Sequence, residues 1–222
     1  MMLNQKIVVV TGAGRGLGAA FALSLAPLGC ELILCARREE DLAQISECVV
    51  NHGGKIPKII QLDLSDVASV RAAADSIANM TEYVDVLINN GAMWLESSDV
   101  SYAETDVLNV VNAAITGTFL FVQNIMPLLK ASQSPDVLTI GSISGLPNAA
   151  LQSVSVPFYA AKRGQVALAE GLRQEFNGSP LRSILINPPY LDDALPGEKS
   201  WIDASARVKG DRGTTRDIVE AV

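Results

Sequence analysis

The residues best suited to chemistry stand near the start of the chain. Thr11-Gly12-Ala13-Gly14-Arg15-Gly16-Leu17-Gly18 follows the apolar run Val8-Val9-Val10 and opens an alanine-rich stretch. Glycine allows positive φ in a tight strand-to-helix turn and lets the backbone approach a ligand closely. The helix N-terminus beyond it favours negative charge, so this spacing suits the pyrophosphate of a dinucleotide. Gly12, Arg15, Gly16, Leu17 and Gly18 form the expected cradle. A second apolar run, Leu32–Cys35, ends in Ala36-Arg37-Arg38, with no carboxylate before Glu39. An NAD(H) site wants an acid there for the ribose hydroxyls. Arg37, helped by Arg15, suits a 2′-phosphate instead, which points to NADP(H) rather than NAD(H).

Such a turn works only if parallel strands and covering helices hold it. Strand-like runs fall at Ile7–Val10, Leu32–Cys35, Ile56–Leu62, Val84–Asn89, Val137–Ile140 and Ser183–Ile186. Helical periodicity fills the intervals Gly16–Leu28, Glu39–His52, Val67–Met80, Tyr102–Leu129 and Tyr159–Phe176. Strands that are apolar on both faces, each followed by a helix, require a sheet covered on both sides. The expected fold is α/β: a Rossmann-type, doubly wound parallel sheet in a single domain, 1–222.

Composition narrows the function classes. Lys and Arg total 17 against 24 acids, a net charge of −7, and no basic cluster exceeds a short pair. Nucleic acid is therefore not an expected partner. The first apolar run is too short for a signal core or a membrane span, so a cytoplasmic protein with no membrane partner is expected. Cys30, Cys35 and Cys48 lack metal-ligand spacing, and the first two read as small core residues. The one histidine, His52, lies in a polar Asn-His-Gly-Gly turn and has no second ligand or triad partner. No metal site is expected.

Taken together, these residues resemble the short-chain dehydrogenase/reductase family over nearly the whole chain. The glycine turn is similar to that family's cofactor motif. Asp63-Leu64 resembles the pair that contacts the adenine, and Asn89-Asn90-Gly91-Ala92 resembles its Asn-Asn-Ala-Gly element with the last two residues exchanged. Ile140-Gly141-Ser142-Ile143-Ser144-Gly145 is similar to the catalytic serine loop, Lys162-Arg163-Gly164 to the active-site helix, and Asn187-Pro188-Pro189 to the Pro-Gly turn. The resemblance implies cofactor contacts at Asp63, Leu64, Asn90, Gly91, Lys162 and Pro188. It also implies interconversion of a carbonyl and an alcohol on a small, mostly apolar substrate. Ser142 would hold the oxygen, a tyrosine would move the proton, and Lys162 would lower that tyrosine's pKa.

The chain departs from the family's pattern where that tyrosine is expected. Four residues before Lys162 stands Phe158, and the tyrosine is Tyr159. Residues three apart share a helix face nearly as well as residues four apart, so Tyr159 reaches Lys162 if the helix start is shifted or overwound. On a regular helix Tyr159 is turned by about 100° and a phenyl ring takes its place. The long helix also carries Ala114 where the family has an asparagine, with Asn112 two residues earlier. The alternative function is thus a cofactor-binding sensor or scaffold with little redox activity. The segment 190–213 reads as a substrate lid, and Asp217–Val222 as the start of a last helix with no seventh strand after it. The apolar girth of Tyr102–Leu129, with the family resemblance, implies a homodimer or homotetramer.

Overall fold

A computed structural model describes residues 3–98, 101–148, 154–206 and 213–221. Strands β1 (Ile7–Thr11), β2 (Glu31–Ala36), β3 (Lys58–Gln61), β4 (Val86–Asn89), β5 (Asp136–Ile140) and β6 (Arg182–Ile186) form one sheet. Its order is β3-β2-β1-β4-β5-β6, with every neighbouring pair parallel. The chain winds outward from β1 to β3, then returns to place β4 on the other side of β1. That reversal leaves a crevice at the carboxyl ends of β1 and β4, where sheets of this kind take ligands.

Alternate strand residues feed two cores, as the period of two demands. Val8, Val10, Leu34 and Ile88 pack with Phe21 of α1 (Gly16–Leu25) and Leu42 and Val49 of α2 (Glu39–Asn51). Val9, Ile33, Leu87 and Val137 pack on the opposite face. Their partners include Ile77 of α3 (Val67–Met80), Phe121 and Ile125 of α5 (Thr118–Ala131), and Leu172 of α6 (Val156–Glu175). Cys30 and Cys35 are buried in or beside β2, as expected of small core residues.

The expected long helix Tyr102–Leu129 is not continuous. α4 (Glu104–Val111) passes into a π turn over Asn112–Gly117 before α5 begins. Within that turn Gly117 lies directly against the Leu64 carbonyl, where any Cβ would collide. The Thr118 hydroxyl donates to the Ala113 carbonyl at 2.9 Å, drawing off an acceptor of the regular ladder. Two strands are also shorter than their apolar runs: Ile56 stands outside β3 and is exposed, and Val84 lies before β4.

The C-terminal part folds back over α1. α7 (Lys199–Ile202) leads to a short 3₁₀ turn, and α8 (Thr215–Glu220) is opened by a capping box in which Thr214 and Asp217 bond each other's backbone. Among the described residues no strand follows β6. Part of the expected lid, 207–212, lies outside the described residues. His52 is exposed in the turn after α2, as its C-cap; its ring nitrogens lie 2.8 Å from the Cys48 carbonyl and 3.3 Å from that of Pro196.

At the amino edge of the sheet Asp85, just before β4, ties the start of β1 to the end of α5. Its carboxylate accepts from Lys6 Nζ at 2.8 Å, Ile7 N at 3.0 Å and Ser132 Oγ at 2.7 Å. Burial pushes its pKa up, but the bonds from Lys6, Ile7 and Ser132 outweigh this and hold it below the ordinary carboxylate value. A depressed carboxylate contributes stability that is present above its unfolded pKa and lost as pH falls through the folded one. Asp85→Asn should therefore cost about 2 kcal/mol at neutral pH. In urea titrations the gap to wild type should close as pH falls below the carboxylate range, and a pH-independent gap would contradict this account.

Candidate functional site

The glycine turn is locked to β4 by side chains whose structural part is not evident from the motif. The Thr11 hydroxyl accepts from Asn90 N at 3.1 Å and Gly91 N at 2.9 Å. Asn90 Nδ2 in turn reaches the carbonyls of Thr11 at 3.2 Å and Gly12 at 3.3 Å. Asn90 and Gly91 thus shape the turn directly. Gly12 and Gly16 adopt φ of 67° and 52°, the left-handed region. A Cβ on Gly12 would lie 2.8 Å from Gly91 Cα, and one on Gly18 would strike the Gly12 carbonyl. These glycines let the turn pack closely on itself and on the end of β4, a compact strand-to-helix turn that suits a dinucleotide held by main-chain N–H groups. Arg15 is exposed just before α1, whereas the Leu17 side chain is buried in the core, leaving its backbone to face a ligand.

On the far side of the crevice the two arginines differ. Arg38 donates to both Asp41 carboxylate oxygens, at 2.8 and 2.6 Å. The Arg37 guanidinium is exposed and has no side-chain partner among the described residues; only its carbonyl is used, by Gln61. Asp63, at the end of β3, folds back on Ser65, accepting from its N at 2.8 Å and its Oγ at 2.6 Å. Leu64 is buried beneath Gly91. Pro188 is buried as well, and its carbonyl accepts from Ile143 N at 3.0 Å.

The other half of the site hangs on the carboxyl end of β5. Ser142 caps a short 3₁₀ turn, its Oγ accepting from Ser144 N at 3.1 Å, while its N–H donates to Asn187 Oδ1 at 3.2 Å. Lys162 on α6 reaches across to the Ile140 carbonyl at 3.2 Å and to Gln165 Oε1 at 2.8 Å. Burial pulls the lysine pKa from 10.5 down to about 8. The serine turn and the lysine are therefore held by the same strand end.

The helix start settles which aromatic residue faces the lysine. Ser155 caps α6, its Oγ accepting from Phe158 N at 3.2 Å, and Pro157 suits the first turn. α6 is regular from Val156, so Phe158 and Lys162 share a face. The Phe158 ring centre lies 5.7 Å from Lys162 Nζ and 4.8 Å from the Trp94 ring. Phe158 is buried with Val110, Ala114 and Ala161. Tyr159 is half-buried at the rim of that cluster, and its hydroxyl has no partner among the described residues. Asn112 and Ala114 both fall in the π turn; Asn112 is half-buried, while Ala114 contributes only a methyl group to the cluster.

Two further residues border this site, and motif reading did not single out the second of them, Gln165. Trp94 is aimed at Phe158 because Glu96 bridges Val154 and Ser155 N donates to the Leu95 carbonyl at 3.2 Å. Gln165 is a buried polar side chain on an otherwise apolar stripe, Ala161, Ala169 and Leu172, a break in period that the sequence did display.

Residues 6–200 match the short chain dehydrogenase family. A dehydrogenase/reductase SDR family protein 7-like from Anopheles gambiae is 28% identical over 200 residues, 87% of this chain but only 61% of its own length. An uncharacterized oxidoreductase of Staphylococcus saprophyticus is 26% identical across 99% of this chain and 90% of its own. A protein described as a short chain dehydrogenase from Escherichia coli CFT073, solved in complex with NADPH, shares the fold at a TM-score of 0.83. It is 25% identical and covers 99% of this chain and 90% of its own. This chain belongs to the short chain dehydrogenase family.

Proposed function

We propose that this chain binds NADP(H) across the glycine turn and interconverts a carbonyl and an alcohol on a small, mostly apolar substrate. The observation that carries the cofactor reading is the pair of arginines after β2. Asp41 holds Arg38, and Arg37 is left exposed at the end of β2 with no side-chain partner among the described residues. The NADPH complex of the Escherichia coli relative supports the same reading. Gly12, Gly16 and Gly18 admit the pyrophosphate, Arg37 and Arg15 pair with the 2′-phosphate, and Asp63 faces the adenine end. When bound, the nicotinamide supplies the hydride. Ser142 holds the substrate oxygen and Lys162 places a buried amine near it. Met93, Trp94 and Phe158 give the substrate side its apolar character.

A second reading, cofactor binding with little turnover, is favoured by one observation: a phenyl ring rather than a phenol faces Lys162. A ring without a hydroxyl offers no proton to the substrate oxygen, so turnover by the wild-type chain is slow. The groove between α5 and α6, about 410 Å³ and lined by Phe119, Val122, Met126 and Phe176, supports pairing with a second copy into a homodimer or homotetramer.

Dissociation constants by calorimetry test the cofactor reading. NADPH should bind at least about tenfold more tightly than NADH, a difference near 1.4 kcal/mol. Equal affinities would defeat it. NADPH consumption across a panel of apolar ketones and aldehydes then separates slow turnover from none.

A further inference from the structure

The C-terminal fold-back brings a carboxylate to the phosphate cradle. Asp193 Oδ1 lies 3.0 Å from the position a Cβ would take on Gly16. Asp193 itself sits at φ 56°, an unfavourable region for most side chains but one that Asp and Asn tolerate. The backbone of the loop that carries Asp193 is anchored on both sides of it. Its neighbour Asp192 accepts from Thr215 N at 3.0 Å, Thr215 Oγ1 at 2.9 Å and Ala194 N at 3.2 Å. Leu191 bridges Gly213, and Leu195 N donates to Glu198 Oε2 at 2.9 Å. One aspartate thus anchors the loop to α8, and the next is presented to the mouth of the glycine turn.

We propose that Asp193 is a cofactor-affinity determinant, a fixed negative charge that opposes the pyrophosphate at the Gly16 end of the cradle. The inference rests on the NADP(H) reading above. A helix N-terminus favours anions, and a carboxylate beside it competes with the ligand's own negative charge for that field. A dinucleotide must bind against this charge or push the loop aside, and each route weakens binding. The effect belongs to the pyrophosphate alone, because the 2′-phosphate lies at the other end of the crevice, by Arg37.

Asp193→Asn keeps the side-chain size and the tolerance of positive φ while removing the charge. Calorimetry at low salt should show NADPH binding tightened about tenfold or more relative to wild type, the gain shrinking as salt rises. Adenosine 2′-monophosphate, which lacks the pyrophosphate, should bind both proteins alike. Wild type and variant binding NADPH equally, or the variant binding it more weakly, would overturn the role of Asp193 and leave the cofactor reading intact. An equal gain for adenosine 2′-monophosphate would overturn it too. If neither protein binds NADPH, both the role and the cofactor reading fall.

Discussion

Phe158→Tyr should raise the rate of NADPH-dependent carbonyl reduction by about a hundredfold or more, the scale of a positioned general acid. A hundredfold corresponds to about 2.7 kcal/mol of barrier. The argument is geometric. α6 is regular from Val156, so position 158 stands one turn before Lys162 on the same face, and its ring centre lies 5.7 Å from the ammonium nitrogen. A hydroxyl added to that ring enters the neighbourhood of an amine whose pKa burial has lowered to about 8. A cation there favours the phenolate form and lowers the phenol's pKa toward neutrality. The NADPH dissociation constant should not move, because Phe158 lies away from the glycine turn. Tyr159→Phe should leave the rate unchanged, since its hydroxyl has no partner among the described residues. Steady-state rates for the two variants decide the matter. A Tyr159→Phe enzyme that loses activity, beside a Phe158→Tyr enzyme that gains none, would return the proton-donor role to Tyr159.

Arg37→Ala should weaken NADPH binding by about ten- to a hundredfold and leave NADH binding where it was. A hydrogen bond to a charged group is worth about 1.5–3 kcal/mol, and each 1.4 kcal/mol is tenfold in affinity. Arg38→Ala is the matching control: both its bonds go to Asp41, so little affinity for either nucleotide should be lost. The loss in Arg37→Ala should shrink as salt rises, because the site is exposed. If Arg37→Ala weakens NADH as much as NADPH, the residue is not reading a 2′-phosphate.

These predictions divide along a physical line. The sheet was legible because β-branched runs apolar on both faces have few other places to go. The glycine turn was legible because only glycine tolerates both the positive φ of Gly12 and Gly16 and the contact between Gly18 and the Gly12 carbonyl. The break in the long helix was not. The π turn answers to Gly117 against the Leu64 carbonyl and to Thr118 on the Ala113 carbonyl, and the first of these contacts spans more than fifty positions.

Within the site, local residue order determined the cradle, the arginines after β2 and the serine turn after β5. It also recorded that Phe158, not a tyrosine, precedes Lys162 by four positions. Only the tertiary structure decided what that spacing means, because the phase of α6 is set by its cap at Ser155 and by the segment that brings Trp94 onto Phe158. The tertiary structure alone also carried Asp193 to Gly16, since nothing in the spacing of residues so far apart encodes their distance. Periodicity and turn chemistry act over a few residues and are written locally. The field inside a site is summed over segments that meet only when the chain has folded.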